Sequence, residues 1–315
     1  MPAGRNHMSG TSRQDESHRL RTQADSIANT MPALLVAARR IAATINIGSH
    51  GRRRAGPGDS FWQFRPYSKD DTPGAIDWRQ TGKFDTVFVR EREWVASQTA
   101  ALWCDTSPSM RYRSSNNIPI KAERSAVMLL ALAELLVDGG ERIIRLDSDG
   151  RPQRSAHAGR LAVAHMADAV VTELMTEDER KDIPPLPRFT TALPRHSTVV
   201  LFSDFLAPLN VIAESIRTLA HQGVMGHMIQ ILDPAEESLP FTGRIRFVGM
   251  EQEGYAVIER AEEAHDAYVR KLQNHRKGLK SLAMQAGWSF NVHHTDRSPQ
   301  LTMAALHNAI HDQRH

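Results

Sequence analysis

With 315 residues, 41% of them hydrophobic, the chain can bury one large core or two modest ones without disulfide or metal staples. Its formal charge of +3 is not gathered into a basic block, which gives nucleic-acid binding little support. The single cysteine, Cys104, excludes an intramolecular disulfide framework and any multi-cysteine zinc site, and it suits a reducing compartment, with the cytoplasm as the default.

Residues 1–26 are polar, lack the apolar h-region of a secretory signal and are expected to form a disordered tail. From Ser26 to Ile47, Leu34, Leu35, Ala38, Ile41 and Ala42 recur at helical spacing, so one or two helices are expected there. His50 to Asp85 is rich in Gly, Arg, Pro and Asp, with turn signals at Gly56-Pro57-Gly58 and Pro73-Gly74, and sparse regular structure is expected. Strands are expected at Thr86–Arg90, Gln98–Cys104, Arg142–Leu146, Ser197–Phe202, Met225–Leu232 and Trp288–His293. Helices are expected at Lys121–Val137, Arg160–Met175, Val211–His221, Ala261–Ala286 and Leu301–Ile310, the second with Leu161, Ala164, Ala167, Val171 and Leu174 facing inward. The most apolar long stretch, Ala126 to Val137, carries Glu134 and falls short of the ~20 residues that cross a bilayer, so it reads as a buried helix.

Short apolar strands alternating with helices are the pattern of βαβ units. The expected fold is therefore α/β, a doubly wound, mostly parallel sheet over residues 96–315, preceded by a helical and irregular N-terminal segment over 27–95.

Three expected strands end in an acid, at Asp105, Asp204 and Asp233, at the carboxyl edge where ligands bind in such sheets. Each alone reads as a helix cap; together they concentrate negative charge that a cation would offset. Asp105, Ser107 and Ser109 alternate along one loop and can aim a carboxylate and two hydroxyls at a common point, with Asp204 supplying a second carboxylate. Hard oxygen donors of this kind suit Mg²⁺, or another divalent cation such as Mn²⁺ or Ca²⁺.

The Asp105-x-Ser107-x-Ser109 pattern, after an apolar strand and before a long helix, resembles the metal-ion-dependent adhesion site of von Willebrand factor A domains. That resemblance implies a protein partner that completes the metal shell with a carboxylate. Such sites usually add a threonine from a separate loop; Thr190 and Thr191 both qualify by position, and Thr191 is included with Asp105, Ser107, Ser109 and Asp204 in the expected ligand set. The stretch Gly51 to Lys83, with Phe61-Trp62-Gln63-Phe64-Arg65-Pro66-Tyr67 and Ile76-Asp77-Trp78-Arg79, resembles the signature of the bacterial domain of unknown function 58 family. Ser203-Asp204-Phe205, Leu232-Asp233-Pro234-Ala235-Glu236 and Thr295-Asp296 continue the likeness. By that resemblance the chain is a companion of MoxR-type AAA+ ATPases, an adaptor or cochaperone in the maturation or activation of other proteins. Members often carry N-terminal transmembrane helices, which are not evident here.

Other readings are the competitors of a metal grip. No Gly-x-x-x-x-Gly-Lys-Ser/Thr loop, Gly-x-Ser-x-Gly elbow or Gly-x-Gly-x-x-Gly turn is present, so no catalytic constellation is expected. A Mg²⁺-dependent phosphohydrolase or phosphotransferase using Asp105 as nucleophile is the enzymatic alternative, and an A-like fold with an empty site the structural one. Asp70, Asp71 and Asp77 are expected in turns, with Trp62, Phe64, Tyr67 and Trp78 packing their segment onto the sheet. Arg52-Arg53-Arg54 reads as a solvated face, Cys104 as a buried thiol, and His293, His294, His307 and His311 as surface residues.

Overall fold

The structure, a computed structural model, describes residues 30–46, 61–67, 76–83, 86–92, 98–147, 150–153, 158–175, 186–187, 189, 191–249 and 254–312. Five parallel strands make the central sheet: β3 (Thr99–Cys104), β4 (Arg142–Arg145), β5 (Thr198–Ser203), β6 (Met225–Leu232) and β9 (Ser289–His294). Their spatial order is β4-β3-β5-β6-β9. The chain leaves β3 for β4 on one side and returns to β5 on the other, so the order reverses between β3 and β5. In open α/β sheets that reversal opens the crevice in which ligands bind.

Both faces of the sheet are covered, which is why β3 and β5 are apolar without alternation. The helix over 30–46 (α1), α3 (Lys121–Asp138), α4 (Arg160–Met175) and α8 (Gln300–Asp312) bury Ala100, Leu102, Cys104, Val200, Phe202, Ile229 and Ile231 on one face. Against the other face, α5 (Leu209–His221) and α7 (Ala261–Gln285) bury Ala101, Trp103, Val199, Leu201 and Met228. The expected α/β class and mostly parallel sheet are what the chain forms, and α1 packs Leu34, Ala38, Ile41 and Ala42 inward as their spacing requires. No helix among the described residues is long and apolar enough to cross a membrane.

The differences are local. The inward ridge of α4 is Ala162, Val163, Met166, Ala167, Val170 and Val171, while Leu161 is 76% exposed and Ala164 is also exposed. Two apolar rows compete on this helix, and the row of paired neighbours repeating every fourth residue wins over the one that starts at Leu161. Within the segment expected to be irregular lie β1 (Phe61–Pro66) and a one-turn helix, α2 (Trp78–Thr81); β1 pairs antiparallel with β2 (Phe88–Arg92), the strand expected at Thr86–Arg90 displaced by two residues. Trp78 is 70% exposed and does not pack onto the sheet as expected, whereas Asp77 makes the expected turn bond by accepting from Arg79 N at 3.1 Å. A hairpin, β7 (Ile245–Val248) and β8 (Tyr255–Ile258), and the short α6 (Pro234–Ser238) complete the described elements. Residues 1–26, Arg52 to Arg54, Asp70, Asp71, Pro184, Pro185, Thr190 and the side chains of Trp62 and Phe64 lie outside what is described.

Candidate metal centre

Asp105 follows β3 directly and extends its pairing, its N–H donating to Phe202 O at 2.8 Å. The carboxylate then folds the loop back on itself: Oδ1 accepts from Ser107 N at 2.8 Å, the local turn that Asp favours. Pro108 begins a single 3₁₀ turn, Pro108–Arg111, closed by Met110 N donating to Ser107 O at 3.0 Å and anchored by the buried Met110 side chain. That turn presents Ser107 and Ser109 on one side, their hydroxyl oxygens 3.2 Å apart.

From β5, Ser203 and Asp204 complete the edge. The Ser203 hydroxyl donates to Asp105 Oδ2 at 2.7 Å and accepts from Phe205 N at 3.0 Å. Asp204 Oδ2 accepts from the Ser109 hydroxyl at 2.7 Å, Oδ1 accepts from Leu206 N at 3.2 Å, and its carbonyl accepts from Gln230 Nε2 at 2.9 Å. Phe205, with φ of 50°, adopts the left-handed conformation, so the chain turns sharply just beyond Asp204 while the Phe205 ring stays buried. The structure thus brings Asp105, Ser107, Ser109 and Asp204 together across the reversal between β3 and β5. Thr191 sits exposed in the loop before β5 and is not hydrogen-bonded into this cluster.

Two further side chains belong to the cluster that the loop pattern does not point to. Lys121, fully buried at the start of α3, donates from Nζ to Asp204 Oδ2 at 2.9 Å and to Glu236 Oε1 at 2.5 Å. The sequence carries no clear signal for it, because Glu123 and Arg124 share the first turn of α3 and the carboxylates that hold Lys121 come from distant segments. Asp233, by contrast, is the cap that a strand-end Asp is expected to be. Its Oδ1 accepts from Ala235 N, Glu236 Oε2 accepts from Asp233 N, and Oδ2 accepts from Ser114 N at 2.8 Å, tying α6 to the loop before α3.

Electrostatics at the cluster favour an added cation. Burial, reinforced by the charge of Asp204 and opposed by the Ser203 and Ser107 hydrogen bonds, pushes the Asp105 carboxyl up to about 7. Burial also raises the Glu236 carboxyl against the pull of Lys121. For Lys121 the desolvation that would lower its pKa is outweighed by Asp204 and Glu236, and the ammonium is strengthened. With all three carboxyls ionised, Asp105, Asp204 and Glu236 against Lys121 would carry two formal negative charges in a buried site. Two carboxylates and two hydroxyls are hard oxygen donors, and the set fits Mg²⁺, which takes only one or two protein carboxylates and keeps several waters. Among the described residues no group of three or more His, Cys, Asp or Glu side chains gathers as a metal site. His307 and His311 face each other, Nε2 to Nε2 at 3.0 Å, while His293, expected at the surface, is buried on β9. Cys104 is buried as expected, its thiol pushed up to about 11 chiefly by burial.

Among solved structures, a crystal structure of the conserved hypothetical protein BatB from Bacteroides thetaiotaomicron aligns with a TM-score of 0.39 and 14% identity, over 69% of this chain and 98% of its own. An aerotolerance-related membrane protein from Bacteroides fragilis, also 14% identical, aligns with a TM-score of 0.37 over 68% of this chain and 98% of its own. No curated protein matches the chain in sequence. The family described as "Protein of unknown function DUF58" matches residues 63–278, from β1 into α7 and across the whole cluster, and the chain belongs to that family.

Proposed function

We propose that the chain is a metal-dependent protein-binding adaptor whose sheet is a von Willebrand factor A-like domain. In this reading Asp105, Ser107, Ser109 and Asp204 hold a Mg²⁺ or similar divalent ion, with Thr191 as a further ligand from the loop before β5. The ion supplies a Lewis-acidic position that a carboxylate of a protein partner completes. The partner is a MoxR-type AAA+ ATPase or its client in the cytoplasm, and the outcome is maturation or activation of that client.

One observation carries the reading: two acids and two hydroxyls from separate strands converge at the carboxyl edge, where the strand order reverses. The enzymatic alternative has less support. Asp105 is followed at alternate positions by Ser107 and Ser109, hydroxyls suited to coordination, and no acid stands two residues on to serve as the general acid that a carboxylate nucleophile would need.

Capture of a MoxR-type ATPase on immobilised protein tests the proposal in three arms: with Mg²⁺, with EDTA, and with Asp105→Ala. Capture in Mg²⁺ and its loss in both other arms is expected. Capture that survives EDTA and the substitution alike sinks the metal grip. Phosphate release from a substrate panel that requires Mg²⁺ and Asp105 would favour the enzyme instead.

A further inference from the structure

Lys121 is the one member of the cluster that a divalent-cation site does not call for. Its ammonium is fully buried, and burying an unpaired ammonium costs several kcal/mol. What retains it is a pair of carboxylates, Asp204 Oδ2 at 2.9 Å and Glu236 Oε1 at 2.5 Å. Asp204 Oδ2 is also the oxygen to which Ser109 donates at 2.7 Å, so the ammonium rests on the same atom that links the two halves of the proposed metal site.

We propose that Lys121 is a resident cation that competes with a divalent ion for Asp204 and thereby sets the metal affinity of the site. The inference rests on the metal reading above. A cation already in place keeps the acidic edge folded without metal, and it makes ion binding weak until a partner's carboxylate adds its own share. Glu236 is the counterpart that lets the ammonium stay buried: it closes the cap of α6 by accepting from Asp233 N at 2.9 Å, and its carbonyl accepts from the Tyr268 hydroxyl at 2.6 Å. Lys121 acts through Asp204 and is a positioning residue.

The test is calorimetric titration of the full chain with Mg²⁺ and with Mn²⁺. The informative variant is the double substitution Lys121→Met with Glu236→Gln, which removes one charge of each sign, so the cluster keeps its net charge and Asp204 loses its ammonium. Competition at Asp204 predicts affinity at least about tenfold tighter than wild type, because a unit positive charge in hydrogen-bond contact with a ligand has gone. A purely structural role for Lys121 predicts equal or weaker binding. Lys121→Arg, which keeps the charge, stays near wild type. Glu236→Gln alone leaves the ammonium Asp204 as its sole carboxylate and weakens binding, a second check on a variant that retains the lysine.

Metal binding by the double variant where wild type shows none also supports the proposal. Wild-type binding that Asp105→Ala abolishes but the double substitution fails to tighten overturns the role of Lys121 and leaves the metal reading standing. Unchanged affinity in Glu236→Gln overturns it likewise. If no variant binds either ion, the metal reading and this inference fall together.

Discussion

At His293 a titratable ring is held in the form that water at mild acidity would not choose. Burial, with Arg124 of α3 and then His294 and Arg297 close by, pushes it down to about 3 from an ordinary 6.5, while Thr302 of α8 lies 3.3 Å from Nδ1. The sign follows from proton counting. Between pH 6.5 and 3 the unfolded chain binds a proton here that the folded chain refuses, so this residue's contribution is full above pH 6.5 and is lost as pH falls toward 3. A single such group steepens the acid limb by at most about 1.4 kcal/mol per pH unit. Urea unfolding at pH 7 and pH 5 is expected to show a larger loss for wild type than for His293→Asn. Equal losses would mean that the ring titrates normally. Asp105 is the mirror case, a carboxyl that burial and a neighbouring acid hold toward its neutral form. Its tension is local to the cluster, and it is what a divalent cation would relieve.

Among the elements, α6 is one of the shortest and ties more together than its length suggests. Its five residues hang on Asp233, which accepts from Ala235 N at its own end and from Ser114 N at the loop before α3. They also carry Glu236 to Lys121 and Glu237 to Arg276 of α7 at 2.6 Å and to His294 at the end of β9. Asp233→Ala leaves two backbone donors without their acceptor, one of them buried, and is expected to cost about 2–3 kcal/mol by chemical denaturation. A loss below about 0.5 kcal/mol, within the range of neutral surface changes, would show that α6 is not anchored through this cap. The sequence Asp233-Pro234-Ala235-Glu236 carries the capping signature, yet periodicity is blind to a helix of one turn.

The same reason separates what was legible at this scale from what was not. The ends of α3, α4, α7 and the five sheet strands could be read to within a residue or two, because apolar runs, helical spacing and Gly139-Gly140 mark them. The hairpin β7–β8 is short and half exposed, with Arg246 over the Tyr255 ring at 4.2 Å in place of a buried stripe, and leaves little pattern to find. Within the cluster, Asp105, Ser107, Ser109 and Asp204 were legible because they lie in strand-end loops. Lys121 and Glu236 were not, since their relation spans 115 positions and exists only once α3 and α6 meet the same edge.

The whole molecule divides its labour between the two ends of the sheet. The carboxyl edge holds buried charge and hydrogen-bonded loops; the opposite edge is sealed by packing, and Trp288 is its seal. This indole lies at the start of β9, donates from Nε1 to Val224 O at 3.2 Å and covers Gly226, near the start of β6. A Cβ built on Gly226 would stand 2.0 Å from the Trp288 ring, far inside contact distance, so glycine is required there by space. Gly226→Ala must expel the ring or part β6 from β9, and it is expected to cost about 3 kcal/mol or more, the sum of overpacking and lost aromatic burial. In a Trp288→Leu background the same substitution is expected to cost far less, so the double-mutant cycle should show a coupling of about 1–3 kcal/mol. Additive losses would break the claim that the indole is what the methyl meets. Because this edge lies at the far end of the strands from Asp105 and Asp204, the Gly226→Ala protein that remains folded should give the same Mg²⁺ titration as wild type, whichever result wild type gives. A variant that lost stability and metal response together would show instead that the two edges act as one cooperative unit.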